Sequence, residues 1–339
     1  MLVPLALILA VSLVACAAPP APQEIVTADF VLHPMGSATL SIGLGVSELI
    51  EQEHPWLRLN ACEGPGATGN VYNMLTNPKF WGNKMMTATS PDYYMAEKGL
   101  SLFEEKGPFP DVYDIVGYLG NANITTVGLY TLDPNIKTEK DLAGKRIALG
   151  KIGQTAWGLL PTVVLQDIAE LDVSLEYLKP VSATKAMIDG KADAAAILMV
   201  VSPDFTVIRP PGAVVEMVAT GRDFYWISWS DELMKKAEAT GWGPYLNPVK
   251  IAPGVFPGIQ PDPLYMTLLL CGFTGHKELF PEELAYEFAK FYAANSDKLG
   301  VYTAMADTLA EPESLVYGVP EEYFHPGALR AYKEAGLIK

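Results

Sequence analysis

Short apolar runs alternate with helix-forming stretches along most of this chain, and few folds accept that order. Residues 26–32, 57–62, 84–89, 115–118, 125–130, 146–149 and 194–201 read as strands. Between them, helices are expected over 36–53, around 71–75, from Asp92, over 154–169 and over 182–190, with a short helical turn at 138–142. Parallel strands need long crossovers, usually helices, so this order implies parallel sheets covered by helices on both faces. The C-terminal stretch is expected to be helical. Pro281 suits a first helical position, and Leu284, Phe288, Phe291 and Tyr292 fall on one face.

The N-terminus sets an expectation of export. Residues 2–15 are almost wholly apolar, too few to span a bilayer but right for a signal-peptide core, so 1–15 is expected to be a signal peptide. No Lys or Arg precedes the run, a departure from the usual signal pattern. It ends in Leu13-Val14-Ala15-Cys16, which looks like a bacterial lipobox, with Cys16 the lipid-bearing residue. Residues 16–25, rich in Ala and Pro, form a stiff tether that spaces a domain about 3 Å off per residue.

Without 1–15, about 320 residues remain, too many for one small core and enough for two lobes. Half of the 339 residues are hydrophobic, so two cores can be filled. The formal net charge of -15 excludes nucleic acid as a partner, since nothing would neutralise phosphates. No later run is long and apolar enough to cross a membrane, leaving the anchor as the expected membrane contact. Cys62 and Cys271 either pair in an oxidising compartment or stand as two buried thiols.

Three features compete as chemistry. Gly64-Pro65-Gly66-Ala67-Thr68-Gly69 is formally a dinucleotide turn with Asp92 at a suitable distance, yet it follows the second strand, not the first. Hydrolysis has weaker support still. There is no G-x-S-x-G elbow, and the four histidines (His33, His54, His276, His325) lack metal-ligand spacing, so neither catalytic residues, a metal nor a cofactor is expected. The third feature recurs. Small or hydroxyl residues recur in four strand-to-helix turns: Gly36-Ser37-Ala38-Thr39, Gly66-Ala67-Thr68-Gly69, Thr89-Ser90-Pro91 and Gly153-Gln154-Thr155. Each alone serves as a helix cap. Four together predict a cleft at the carboxyl ends of strands, lined by helix N-termini that bind anions. Lys151 is the one basic residue in a predicted cleft loop, and Tyr93, Tyr94, Ala156, Trp157, Ser202 and Phe256 complete the candidate wall.

These segments resemble the TAXI family of solute-binding proteins, which serve tripartite ATP-independent periplasmic (TRAP) transporters. Met35-Gly36-Ser37-Ala38-Thr39 stands at that family's first glycine-rich turn, and Glu63-Gly64-Pro65-Gly66-Ala67-Thr68-Gly69-Asn70 at its second. Ser90-Pro91-Asp92 looks like a variant of its Gln-Ser-Asp turn. The stretches 137–147, 187–194 and 253–258, and His325-Pro326-Gly327-Ala328-Leu329-Arg330, follow in the family's order. The second-lobe turn departs from the usual Gly-Ser-Gly-Thr, and Phe256 replaces a tyrosine.

The resemblance implies an α/β, type II periplasmic-binding-protein fold: two α/β lobes, a hinge and an interlobe ligand cleft. Lobe 1 would be 26–130 with 262–339, and lobe 2 would be 131–261. It implies a receptor without enzymatic activity, lipid-anchored outside the cytoplasm, that captures a small organic acid for the membrane permease subunits of a TRAP transporter. An exported α/β enzyme on a small acid, or a ligand-sensing lobe, are the alternatives.

Overall fold

The computed structural model describes residues 24–339; the expected signal peptide, Cys16 and most of the tether lie outside them. Among the described residues eleven strands form one continuous sheet: β1 (Val26–Val31), β2 (Leu57–Cys62), β3 (Lys84–Thr89), β4 (Val116–Thr131), β5 (Arg146–Leu149), β6 (Ser174–Tyr177), β7 (Ala194–Val201), β8 (Ile208–Arg209), β9 (Tyr225–Ile227), β10 (Pro248–Ile251) and β11 (Leu264–His276). Along the main path their order is β2-β1-β3-β11-β4-β7-β5-β6.

That order contains one arrangement twice. In the first half β2, β1 and β3 run parallel, and β11 joins β3 antiparallel. In the second half β6, β5 and β7 run parallel, and β4 joins β7 antiparallel. Each half thus receives a strand that arrives from the other. β4 pairs with β11 over its first part and with β7 over Thr125–Thr131. Two lobes joined through paired crossing strands define the type II periplasmic-binding-protein fold.

The crossing strands correct two expectations and add a strand. The sheet is mixed where parallel strands alone were expected. The separate strands expected at 115–118 and 125–130 are one 16-residue strand, β4, every residue of which is buried. The C-terminal return begins with β11, a strand not expected, and the helix expected from Pro281 follows at Glu282–Asn295 with Pro281 as its cap. β11, buried along most of its length, carries no apolar–polar alternation to mark it as a strand.

Helices α1 (Ala38–Glu53), α2 (Ala67–Thr76) and α3 (Ser90–Lys98) follow β1, β2 and β3. Fully buried Asn70 ties their turns together, its amide donating to Thr87 Oγ1 at 3.0 Å and to the Thr87 carbonyl at 3.2 Å. The helix expected over 154–169 has π turns at Thr155–Leu159 and Val164–Ile168. The helix expected from 182 starts two residues earlier, at Pro180, where a fixed φ suits the first turn. Two apolar clusters fill the interior. One centres on Phe30, Phe273, Phe288 and Tyr292, the other on Tyr130, Trp226, Phe256 and Met266.

Candidate functional site

The β3–α3 turn holds a buried carboxylate with no cationic partner among the described residues. Thr89 caps α3 and Asp92 occupies the third helical position, forming a reciprocal capping box. Asp92 is 0% exposed and both its oxygens are satisfied. Oδ2 accepts from the Thr89 N–H at 2.9 Å and from the Thr89 hydroxyl at 2.5 Å. Oδ1 accepts from Thr68 Oγ1 at 2.7 Å and Thr155 Oγ1 at 3.2 Å. Burial raises the Asp92 carboxyl above the ordinary aspartate value, opposed by these donors.

Thr155 stands after β5 in the second half, whereas Thr68 and Asp92 stand in the first. The two halves therefore meet here. Gly66, with φ +106°, makes the same approach in backbone form: a Cβ on it would lie 2.9 Å from the Gly153 carbonyl oxygen. Tyr94 also joins the halves, its hydroxyl donating to the Gly241 carbonyl at 2.8 Å and its ring packing 5.5 Å from Trp242.

A second polar group lies beside the first. Thr89, Cys271 and Asn123 are register partners on β3, β11 and β4, which sets them in one row. Asn123 Nδ2 donates to Thr39 Oγ1 at 2.8 Å, and Thr125 Oγ1 to Asn123 Oδ1 at 2.8 Å. Thr39 Oγ1 lies 3.4 Å from Cys271 Sγ. The β4–β11 register shifts between Cys271 and Gly272, a bulge beside the row. Such irregularities re-aim side chains at functional places. Burial pushes the Cys271 thiol up to about 12. Cys62 and Cys271 are both free, Cys62 exposed and Cys271 buried, so the pairing alternative is not realised.

The structure therefore gathers Thr39, Thr68, Thr89 and Thr155 of the expected set. Ser37 caps α1, its Oγ accepting from Leu40 N at 3.1 Å, with Gly36 and Ala38 on either side of it. Ala67 is buried in the first turn of α2. Lys151 is exposed, and its backbone N–H donates to Gln154 Oε1 at 3.2 Å. Ala156 and Trp157 pack half-buried against the first cluster. Ser202 closes the turn after β7, donating to Asp204 Oδ1 at 2.7 Å and accepting from Val207 N at 2.9 Å. Phe256 packs in the second cluster, 5.0 Å from Trp226. Ser90 accepts from Leu270 N at 3.3 Å, and Tyr93 stacks on Tyr113.

Sequence reasoning passed over Asp92, Asn123, Thr125 and Cys271 as ligand-site residues, and Asn123 altogether. The capping-box spacing Thr89-x-x-Asp92 was the available signal for the first. Two asparagines inside an apolar run at 121–123 were the signal for the second. Asp92 is fully used by hydroxyl and backbone donors, which removes the acceptor a dinucleotide ribose would need from the Gly64–Gly69 motif.

The repeated strand order and the polar groups meeting between its halves define a two-lobed α/β protein of the periplasmic-binding-protein type. The chain belongs to the NMT1-like family, whose family model matches residues 33–336. Among solved structures it is similar to the periplasmic binding protein BugD, at 13% identity over 92% of this chain and 98% of that one, with a TM-score of 0.49. A TctC solute binding protein from Polaromonas matches at 15% identity over 84% of this chain and 87% of that one, TM-score 0.49. MatC from Rhodopseudomonas palustris, solved with bound malate, matches at 12% identity over 90% and 99%, TM-score 0.49.

Proposed function

We propose that this protein is an extracytoplasmic solute-binding receptor that closes its lobes on a small organic acid and delivers it to a TRAP-type permease. On this reading Cys16 carries the lipid anchor, lobe 1 comprises 26–130 with 262–339, and lobe 2 comprises 131–261. The observation that carries it is the meeting of Thr68 and Asp92 with Thr155 between the halves. Opening would replace one buried donor with water, and closure would restore it, so a few weak contacts can be traded for a ligand.

Asp92 already takes three hydroxyls, so an acid would be held by other donors. First-turn N–H groups have no intrahelical acceptor, which leaves those of Ala38 and Thr39 on α1 and of Ala67 and Thr68 on α2 facing the turns. Roughly half a positive charge at each helix end favours an anion there. Lys151, on the loop beside Gly153, supplies a full charge from the rim.

Mass spectrometry of whatever co-purifies names the solute, and small-angle scattering then tests the mechanism. The radius of gyration should fall with saturating solute. Identical curves with and without a verified ligand would reject closure, and binding of neutral compounds alone would reject the organic-acid class.

A further inference from the structure

Beside the polar row lies a cavity of about 90 Å³, walled by Ser90, Tyr93, Tyr113, Tyr118, Leu270 and the 318–320 turn. Tyr93 directly follows Asp92, and its hydroxyl lies close enough to Asp92 and Cys271 to feel their charges, so the cavity adjoins the candidate site. Its aromatic wall is a stack of rings. Tyr93 stacks on Tyr113 at 5.2 Å and 4°, and Tyr113 stacks on Tyr323 at 4.0 Å and 13°. Among the described residues, no charged side chain lines it.

One buried polar atom in this wall is unanswered. Tyr118 donates to Asn121 Oδ1 at 2.7 Å, and Ser90 accepts from Leu270 N. Tyr93 is 5% exposed, yet its hydroxyl has no hydrogen-bond partner among the described residues. A buried tyrosine hydroxyl usually finds one, and leaving it bare costs desolvation without return. At roughly 10–15 Å³ for one water-sized group, the space takes on the order of six to nine such groups, about a single ring.

The geometry points to this cavity as a subsite for the uncharged, ring-bearing end of the solute, with an oxygen on that ring hydrogen-bonded to the Tyr93 hydroxyl. Flat phenol faces match an aryl ring in shape and polarity. A carboxylate end is disfavoured by a lining without cations and by Asp92, whose charge reaches Tyr93. The subsite rests on the receptor reading for its physiological ligand, but not for its capacity to bind a ring.

The probe is 4-fluorophenol, which carries a ring and one hydroxyl and no acid. Its fluorine resonance, followed while the protein is titrated in, should shift saturably with a dissociation constant on the order of millimolar, as befits so small a ligand. Tyr93→Phe keeps the stack and removes the hydroxyl, and should weaken binding roughly fivefold. Val319→Trp, which fills the cavity, should abolish it. Succinate, with no ring, should not displace the probe from this cavity. No saturable shift with the parent protein, or equal affinity in the parent and Tyr93→Phe, overturns the subsite. The comparison with Tyr93→Phe decides the matter even where Val319→Trp fails to fold. Fragment binding needs no lobe closure, so a failure of the receptor reading appears in scattering while this titration still decides the subsite.

Discussion

Thr68 Oγ1 lies 3.2 Å from Thr155 Oγ1, and both hydroxyls donate to the same oxygen of Asp92. The first two residues belong to helix starts in different halves of the fold. Their shared acceptor is a carboxylate held by hydroxyl and backbone donors alone, so its stability depends on keeping every donor in place. Removing a partner from a buried acceptor costs more than the hydrogen bond itself is worth.

Thr155→Val keeps the shape of the side chain and removes the donor. Stability should fall by about 1 kcal/mol in urea titration. Solute affinity should drop at least fivefold, because the closed state loses a contact that the open state never had. Unchanged affinity and unchanged scattering would show that this contact takes no part in closure.

Asp92 also predicts a pH dependence. Burial raises its carboxyl in the folded state, so the folded protein holds the proton more tightly than the unfolded chain does. Such a group adds stability below the ordinary aspartate value of about 4 and loses it as pH rises through the folded value. Asp29 and Asp193, lowered by Lys84 and Arg146, have the opposite sign and lose their contribution as pH falls. Both are partly exposed, and solvent weakens their effect. Comparing Asp92→Asn with the parent isolates the first effect. The parent should gain stability relative to the variant as pH drops from about 7 to about 3.5. A constant difference across that range would mean the carboxyl is not perturbed.

Much of the fold could be read from sequence because several strands are short apolar runs between turn residues. The expected 57–62, 84–89, 146–149 and 194–201 coincide with β2, β3, β5 and β7. β4 was split because Gly120, Asn121 and Asn123 interrupt its apolar run, and only tertiary pairing with β11 shows them to be strand. The hydroxyls of the site were visible as helix caps. Their acceptor was not, because a buried aspartate in a capping box has the same sequence signature as an exposed one. Whether Thr68 and Thr155 touch depends on how the halves close, which no local pattern encodes.

Gly66→Ala should damage the closed state without altering any polar group. Its φ of +106° disfavours a side chain, and the new Cβ would meet the Gly153 carbonyl oxygen at 2.9 Å. A backbone atom cannot rotate away, so the halves must separate slightly. The cost should be about 1 kcal/mol or more in stability, with weaker solute binding alongside. An unchanged melting temperature together with unchanged affinity would contradict this close approach.

Lys151→Ala tests the charge assigned to the rim. Charge-assisted hydrogen bonds contribute about 1.5–3 kcal/mol each, so an acidic solute should bind at least tenfold more weakly. Because Lys151 is exposed, folding stability should be unchanged within about 0.5 kcal/mol. Calorimetry with the co-purifying solute separates the two effects, and undiminished affinity would remove Lys151 from the site.

Cys271 offers a reporter of the closed state already built into the chain. Its thiol is 1% exposed, packed against Thr39, and held at about 12 by burial. The reactive species is the thiolate, so alkylation at about pH 8 should be slow by several powers of ten relative to an ordinary thiol. Cys62 is exposed and provides a comparison in the same molecule. Iodoacetamide labelling resolved by peptide mass spectrometry should modify Cys62 first and Cys271 only after long exposure. If the lobes open in solution, water reaches Thr39 and the Thr89–Cys271–Asn123 row, and the thiol returns toward its usual range. Labelling of Cys271 should then be faster without solute than with it, while Cys62 stays constant. Equal labelling of the two cysteines would show that the row is not sealed. Slow labelling of Cys271 that solute does not alter would show that closure leaves this part of the site untouched.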